Sequence, residues 1–192
     1  DYEARLPDFL KLAYLPSLTT VKLRLWSPDS LSDEQEEQAD GYFQKLWDTL
    51  GEDAYTEGDT SLEEVLGNVL KEKEAYLATA ESCTGGYIAH RITGISGSSD
   101  YFSGSVISYS NEVKEEVLNV PGEVLRERGA VSEETVRAMV RGVLNVIPAD
   151  VAIAVSAIAG PGGGTKGKPV GTVWIAVGNE EKTRSFRIGA GK

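Results

Sequence analysis

The 192-residue sequence predicts a three-layer α/β/α domain built on a mixed β-sheet, preceded by a small α+β module of β-β-α-β order. Three observations carry that expectation. From residue 61 onward, apolar runs of strand length alternate with amphipathic helical stripes, the pattern of a layered α/β domain. Val151 to Ile158 is apolar except for Ser156, as expected of a strand covered on both faces, and the last two strands follow one another like a hairpin, which makes the sheet mixed. Composition also changes along the chain. Residues 1–75 hold 18 acidic and 7 basic side chains against 12 of each in residues 76–192, and 17 of the 21 glycines follow residue 80. The net charge of −11 therefore belongs to the first part, and the expected units are 1–60 and 61–192.

In the first unit, Phe9 to Leu15 and Thr20 to Trp26 read as a hairpin, the second strand alternating Val21, Leu23 and Leu25 with Lys22 and Arg24. Pro16 and Ser17 supply its turn. An acidic helix from Ser32 to about Leu50 opens with the Ser-x-x-Gln spacing of a capping box, Ser32 with Gln35, and closes at Gly51. A short strand is expected near Ala54. In the second unit, Ser61 and Glu64 cap a helix with the stripe Leu62, Val65, Leu66, Val69 and Leu70. The expected order is then strand Tyr76 to Ala80, a helix through Ile92, strand Ser105 to Tyr109, and helices at Asn111 to Asn119, Glu123 to Arg128 and Ser132 to Val146. Strand Val151 to Ile158, a glycine-rich loop Gly160 to Pro169, and strands Thr172 to Val177 and Thr183 to Ile188 complete it.

Several functions are excluded. A chain that is 41% hydrophobic and 26% charged is globular in composition, and no apolar run approaches the roughly 18 residues of a membrane span. An acidic chain is a poor partner for phosphate backbones or anionic lipid, so neither nucleic acid nor membrane is expected as a partner. The single Cys83 cannot form an internal disulfide and the single His90 cannot build a His-rich metal cluster. A soluble cytoplasmic protein is expected. Asp1 in place of methionine, with Met139 the only Met, reads as a fragment whose upstream part is missing.

Chemistry concentrates in three places. A strand runs into Glu81-Ser82-Cys83-Thr84-Gly85-Gly86 and then a helix, a geometry that offers Ser82, or in its place Cys83, as a nucleophile and the unpaired N–H groups of the helix start to an oxyanion. The ordinary alternative is that Ser82 or Thr84 caps the helix. Lys114, in the first turn of the helix after Tyr109-Ser110-Asn111, is the candidate base, its charge disfavoured by the helix dipole and by burial, against the default of a solvated lysine beside Glu112, Glu115 or Glu116. Ser82 and Lys114 each follow a strand, and in a parallel sheet such ends share one edge. The loop Gly160 to Pro169 is a near miss to a P-loop: Gly162, Gly167 and Lys168 are in place, but Pro169 replaces the Ser or Thr that ligates magnesium. An ATPase is rejected, while Lys166 or Lys168 and the loop's N–H groups remain able to wrap a phosphorylated ligand. Gly94-Ile95-Ser96-Gly97 matches the Gly-x-x-Gly of KH domains only as a string.

These residues resemble the C-terminal domain of the competence/damage-inducible protein A (CinA) family, also found alone as nicotinamide-nucleotide amidase. The strings are Ala80-Glu81-Ser82-Cys83-Thr84-Gly85-Gly86, Gly97-Ser98-Ser99 with Tyr101-Phe102, Tyr109-Ser110-Asn111-Glu112 with Lys114, Gly129-Ala130-Val131-Ser132, Ile158-Ala159-Gly160-Pro161 with Gly163-Gly164, and Lys168-Pro169-Val170-Gly171-Thr172-Val173. Residues 8–60 look like the middle, KH-like domain of full-length CinA, with a nucleotide domain upstream. The resemblance implies hydrolysis of the carboxamide of nicotinamide mononucleotide to nicotinate mononucleotide and ammonia by a Ser82–Lys114 dyad, without metal or cofactor. It implies Tyr109 beside the dyad, substrate contacts from Thr84, Gly85, Gly86, Asn111, Gly160, Gly163 and Gly164, and a homodimer. A catalytically silent nucleotide-binding or assembly domain is the alternative. Two places depart from the family pattern: Ala157 stands where the family has Gly, and the chain closes Gly189-Ala190-Gly191-Lys192 where the family continues with a Gly-Asp-Arg motif and a long helix.

Overall fold

The structure, a computed structural model, describes residues 2–17 and 20–189; Asp1, Leu18, Thr19 and the closing Ala190 to Lys192 lie outside the described residues. The chain divides into two compact units, Asp1–Glu57 and Gly58–Lys192.

In the first unit, β1 (Lys11–Pro16) pairs antiparallel with β2 (Val21–Trp26), Leu12 opposite Leu25 and Tyr14 opposite Leu23. The helix α1 (Asp33–Leu50) starts at the capping box read from the sequence: Gln35 N–H donates to Ser32 Oγ at 3.3 Å and Ser32 N–H to Gln35 Oε1 at 3.0 Å. Leu46 is its buried residue, and Gly51, at φ +53°, caps its end. The strand expected near Ala54 does not form, so the described residues of this module are ordered β-β-α. Ala54 and Tyr55 are the only apolar residues between Asp53 and Thr56, too short a run to alternate, and Tyr55 is exposed.

The second unit opens with α2 (Leu62–Glu72), again held by a capping box, Ser61 with Glu64. The elements after it are β3 (Leu77–Glu81), α3 (Tyr87–Thr93), β4 (Phe102–Ile107), α4 (Asn111–Glu116), α5 (Gly122–Arg128), α6 (Glu133–Val146), β5 (Val151–Ala157), β6 (Val173–Gly178) and β7 (Thr183–Ile188). The sheet order is β4-β3-β5-β6-β7; β4, β3 and β5 run parallel, β6 pairs antiparallel with β5 and β7 antiparallel with β6, giving the expected mixed sheet. Alternation along the strands divides the core between two faces. Ala78, Ala80, Ala152, Ala154 and Ala176 pack with Leu125, Val136, Met139, Val140 and Val143 of α5 and α6. Leu77 packs with Leu70, Ile92 and Tyr101 on the α2 and α3 side. Small side chains bring α6 close: a Cβ on its Gly142 would meet Leu118 O at 2.0 Å.

Several boundaries shift by one to three residues, the largest at the start of β4 and the end of α4, and Pro16, expected in the hairpin turn, closes β1. Strand β4 covers Phe102–Ile107 instead of Ser105 to Tyr109, because Ser103 and Gly104, weak strand formers, are recruited by pairing with β3. Helix α4 stops at Glu116, short of Asn119. The central β3 therefore has the parallel β4 on one side and the parallel β5 on the other. The chain leaves β3 through α3 on one face and reaches β5 through α5 and α6 on the other, so a crevice opens at the carboxyl ends of these strands.

Candidate active site

Ser82 stands at the carboxyl end of β3. Its N–H donates to Val155 O at 3.1 Å, continuing the β3–β5 pairing, and its carbonyl accepts the Gly85 N–H at 3.1 Å. The turn then passes through left-handed conformations at Gly85, φ +59°, and Gly86, φ +98°. A Cβ on Gly86 would also lie 2.9 Å from Ile107 Cδ1, so glycine is needed there for backbone and space. Neither Ser82 nor Thr84 caps α3; the N-cap is Gly86, with no side-chain cap. Thr84 Oγ1 is buried without a hydrogen-bond partner. The Ser82 hydroxyl is thus left for another use.

That use is Lys114, which is 1% exposed. Its Nζ lies 3.1 Å from Ser82 Oγ, 2.6 Å from Ser108 O, 3.2 Å from Tyr109 O and 3.5 Å from Ser110 O. Burial holds its pKa below the ordinary lysine value, opposed by Cys83 and Glu112 nearby. The helix dipole is not the cause: α4 has six residues and Lys114 falls in its last turn. The solvated lysine partnered by Glu112, Glu115 or Glu116 is likewise excluded by its burial.

The pair opens into a cleft of about 330 Å³ lined by Tyr109, Ala130, Val131, Ser156, Ala157 and the loop from Ile158 to Gly163. Each of the three parallel strands thus delivers one wall from the segment at its carboxyl end. Of the residues singled out in the sequence, Ser82, Lys114, Tyr109, Gly160 and Gly163 line this cleft; Thr84, Gly85, Gly86, Asn111 and Gly164 do not. Tyr109 is 74% exposed, and its contact with Lys114 is through the backbone carbonyl. Gly164 packs against Val170, where a Cβ would sit 2.9 Å from the Val170 nitrogen.

The expected oxyanion donors need correcting. Gly85 N–H is engaged by Ser82 O, and Gly86 N–H donates to the Glu81 carboxylate at 3.0 Å. The N–H groups of Cys83 and Thr84 remain, both directed at the Cys83 sulphur, whose thiol burial pushes up in pKa. Lys168 is also committed, its Nζ donating to Arg128 O. At Gly94 to Gly97, the neighbouring Arg91 pairs with Glu63, and Lys71, whose Nζ would lie 3.3 Å from a Cβ on Gly97, pairs with Asp100. Ser156, the lone polar residue of β5, ties two walls together by donating to Ala130 O at 2.8 Å. Its polarity within an apolar run is the sequence signal that marks it. Among the described residues no cluster of His, Cys, Asp and Glu is placed to hold a metal ion, and no helix is long and apolar enough to cross a membrane.

Residues 59–191 match the CinA C-terminal domain. The chain belongs to that family. It is 43% identical over 188 residues to a CinA-like protein of Cytophaga hutchinsonii, covering 98% of this chain and 45% of that protein. It is also 43% identical over 182 residues to a CinA-like protein of Salinibacter ruber, covering 95% of this chain and 44% of that protein. The chain spans less than half the length of these curated relatives. The crystal structure of a competence/damage inducible protein from Agrobacterium tumefaciens superposes with a TM-score of 0.64 at 36% identity, covering 71% of this chain and 85% of that one. Within this CinA domain, Ala157 sits at the end of β5 and lines the cleft.

Proposed function

We propose that this CinA domain is an amidase that hydrolyses the carboxamide of nicotinamide mononucleotide to nicotinate mononucleotide and ammonia. The observation that carries the reading is the buried lysine amine 3.1 Å from the Ser82 hydroxyl at the floor of an open cleft. A Ser–Lys pair at this distance is the arrangement of an activated nucleophile and its base. In its neutral form Lys114 takes the Ser82 proton as Oγ attacks the amide carbon. The resulting ammonium then gives that proton to the departing nitrogen, which leaves as ammonia and an acyl-enzyme. Lys114, neutral again, deprotonates a water that attacks the ester, and the proton returns to Ser82 as the acid departs. With the Gly85 and Gly86 N–H groups engaged by Ser82 O and the Glu81 carboxylate, those of Cys83 and Thr84 are the turn's remaining candidates for the developing oxyanion, in competition with the Cys83 sulphur. The cationic pyridinium of the substrate withdraws electrons from the reacting carbonyl.

A volume of about 330 Å³ falls within the range of small-molecule sites. With Lys168 engaged, the exposed Lys166 is the loop's other basic side chain for the substrate phosphate. In the same reading the first unit is the KH-like middle module of a longer cytoplasmic, dimeric protein, and its acidity argues against RNA as its partner. The test is ammonia release from nicotinamide mononucleotide by wild type and Ser82→Ala. Turnover lost by about 10³-fold or more in Ser82→Ala supports the assignment, and turnover retained in that variant removes Ser82 as nucleophile. Nucleotide binding without ammonia release from wild type would instead make this a silent binding domain.

A further inference from the structure

Glu81 is the last residue of β3 and immediately precedes Ser82, yet it is 0% exposed and does not line the cleft. Its Oε2 accepts the N–H groups of Gly86 at 3.0 Å and Ile88 at 3.1 Å. Its Oε1 accepts the Ala89 N–H at 2.8 Å and the Thr79 hydroxyl at 3.4 Å. A helix start leaves its first N–H groups without intrahelical partners, and an N-cap side chain normally serves them. Gly86 has no side chain to offer. Tyr87 N–H finds Thr84 O at 3.0 Å, and the Glu81 carboxylate takes the next two. The chain thus leaves Glu81, makes the Ser82 to Gly86 turn, and is fastened back onto the same residue.

The main chain of Glu81 reaches the other half of the pair. Its carbonyl accepts the Ser108 N–H at 2.8 Å, and the Ser108 carbonyl accepts from Lys114 Nζ at 2.6 Å. Without the carboxylate the turn would be soft, since Gly85 and Gly86 carry its left-handed conformations. Proton transfer tolerates little slack, and a displacement of about 1 Å costs about 10²-fold in rate.

We propose that Glu81 is a positioning residue, its carboxylate clamping the start of α3 and so fixing Ser82 Oγ at reacting distance from Lys114. It touches neither substrate nor cleft and acts through the turn. Glu81→Gln keeps the shape but turns an NH₂ toward N–H donors, because both carboxylate oxygens accept backbone N–H groups. Glu81→Asp keeps the charge and loses one methylene of reach.

This deepens the amidase reading and rests on it for turnover, so a second readout is taken that does not: the rate of Ser82 sulfonylation by phenylmethylsulfonyl fluoride, followed by intact mass with Ser82→Ala as blank. In Glu81→Gln, kcat and the labelling rate both fall by about 10²-fold. KM stays within about twofold, and the rise of rate with pH keeps the wild-type midpoint, because Lys114 is unchanged. Glu81→Asp is intermediate. The proposal is overturned if Glu81→Gln, with wild-type circular dichroism and a cooperative melt, turns over and labels at wild-type rates, or if its pH midpoint moves. If Glu81→Gln does not fold, Glu81→Asp decides by the same readouts. If neither folds, Glu81 is a structural residue and the proposal fails. Wild type that labels at Ser82 but releases no ammonia sinks the amidase reading alone and leaves labelling to decide Glu81. Wild type that does neither overturns both.

Discussion

Replacing Lys114 by methionine tests whether the amine is held neutral. Methionine replaces most of the stem, but the amine's contacts disappear, the three shortest being Ser108 O at 2.6 Å, Ser82 Oγ at 3.1 Å and Tyr109 O at 3.2 Å. Such hydrogen bonds contribute about 0.5–1.5 kcal/mol each, so for these three roughly 1.5–4.5 kcal/mol is set against the variant. Relief of a buried amine opposes this, and it depends on pH. Burial lowers the folded-state pKa of Lys114. Between that pKa and the unfolded value of about 10.4 the unfolded chain binds one more proton, so wild-type stability rises with pH, by at most about 1.4 kcal/mol per pH unit. Below the window the destabilisation is complete and constant; above about pH 10.4 it is gone. Methionine does not titrate. Urea unfolding of both proteins between about pH 6 and pH 10 should therefore show the difference moving in favour of wild type as pH rises. Turnover by Lys114→Met should fall by about 10²–10⁴-fold. A pH-independent stability difference, or one moving toward the variant, would mean that the carbonyls hold Lys114 as an ammonium. It could not then be the base.

Two glycines give independent tests. Gly160 lines the cleft at φ +85°, and a Cβ there would meet Val170 Cγ1 at 2.6 Å. Gly160→Ala should raise KM several-fold with a smaller effect on kcat, and an unchanged KM would remove the loop from the substrate site. Gly142→Ala drives a Cβ to 2.0 Å from a backbone carbonyl, Leu118 O, which cannot yield as a side chain could. Val120, two residues on, donates its N–H to Lys114 O at 3.0 Å, so the strain reaches the site. A net loss of about 1–3 kcal/mol in chemical unfolding is expected even after the helix-propensity gain. Gly41→Ala in α1, where the added Cβ meets nothing within 4 Å, should stabilise its unit by roughly 0.5–1 kcal/mol and serves as the control.

Much of the fold and the pair was legible in the sequence because the signals were local. The Ser-x-x-Gln and Ser-x-x-Glu spacings at Ser32 and Ser61 needed only their own side chains to place two helix starts, and the apolar run of β5 needed no partner to be recognised. Ser82 and Lys114 could be brought together because each follows a strand and parallel strands share an edge. The features that escaped depend on distant partners. The start of β4 is hidden in Ser103 and Gly104 and becomes a strand only against β3. Lys168 looks like a free phosphate ligand until its amine is seen to donate to Arg128 O. Of the N–H groups assigned to an oxyanion, that of Gly86 is spoken for because Glu81, read as part of a motif, folds its side chain back onto the helix after it, and that of Gly85 because Ser82 O accepts it.

The chemistry of the pair turns on a competition that geometry alone leaves open. An ammonium at Lys114 Nζ has three protons, and Ser108 O, Tyr109 O and Ser82 Oγ would take one each. A neutral amine has two, which the same carbonyls accept, and its lone pair then faces the Ser82 O–H. The carbonyls thus orient either form, and the closest of them, Ser108 O, is presented by a residue with no exposed surface. They favour the charged form, while removal from water favours the neutral one. No carboxylate among the described residues lies within ion-pair distance of the amine to tip the balance back, and burial is the leading cause of its lowered pKa. A lysine in the core of an α/β sheet edge, with apolar Leu118 and Val120 just beyond it, is otherwise disfavoured. Its placement makes physical sense if the site requires an amine that is ready to accept a proton.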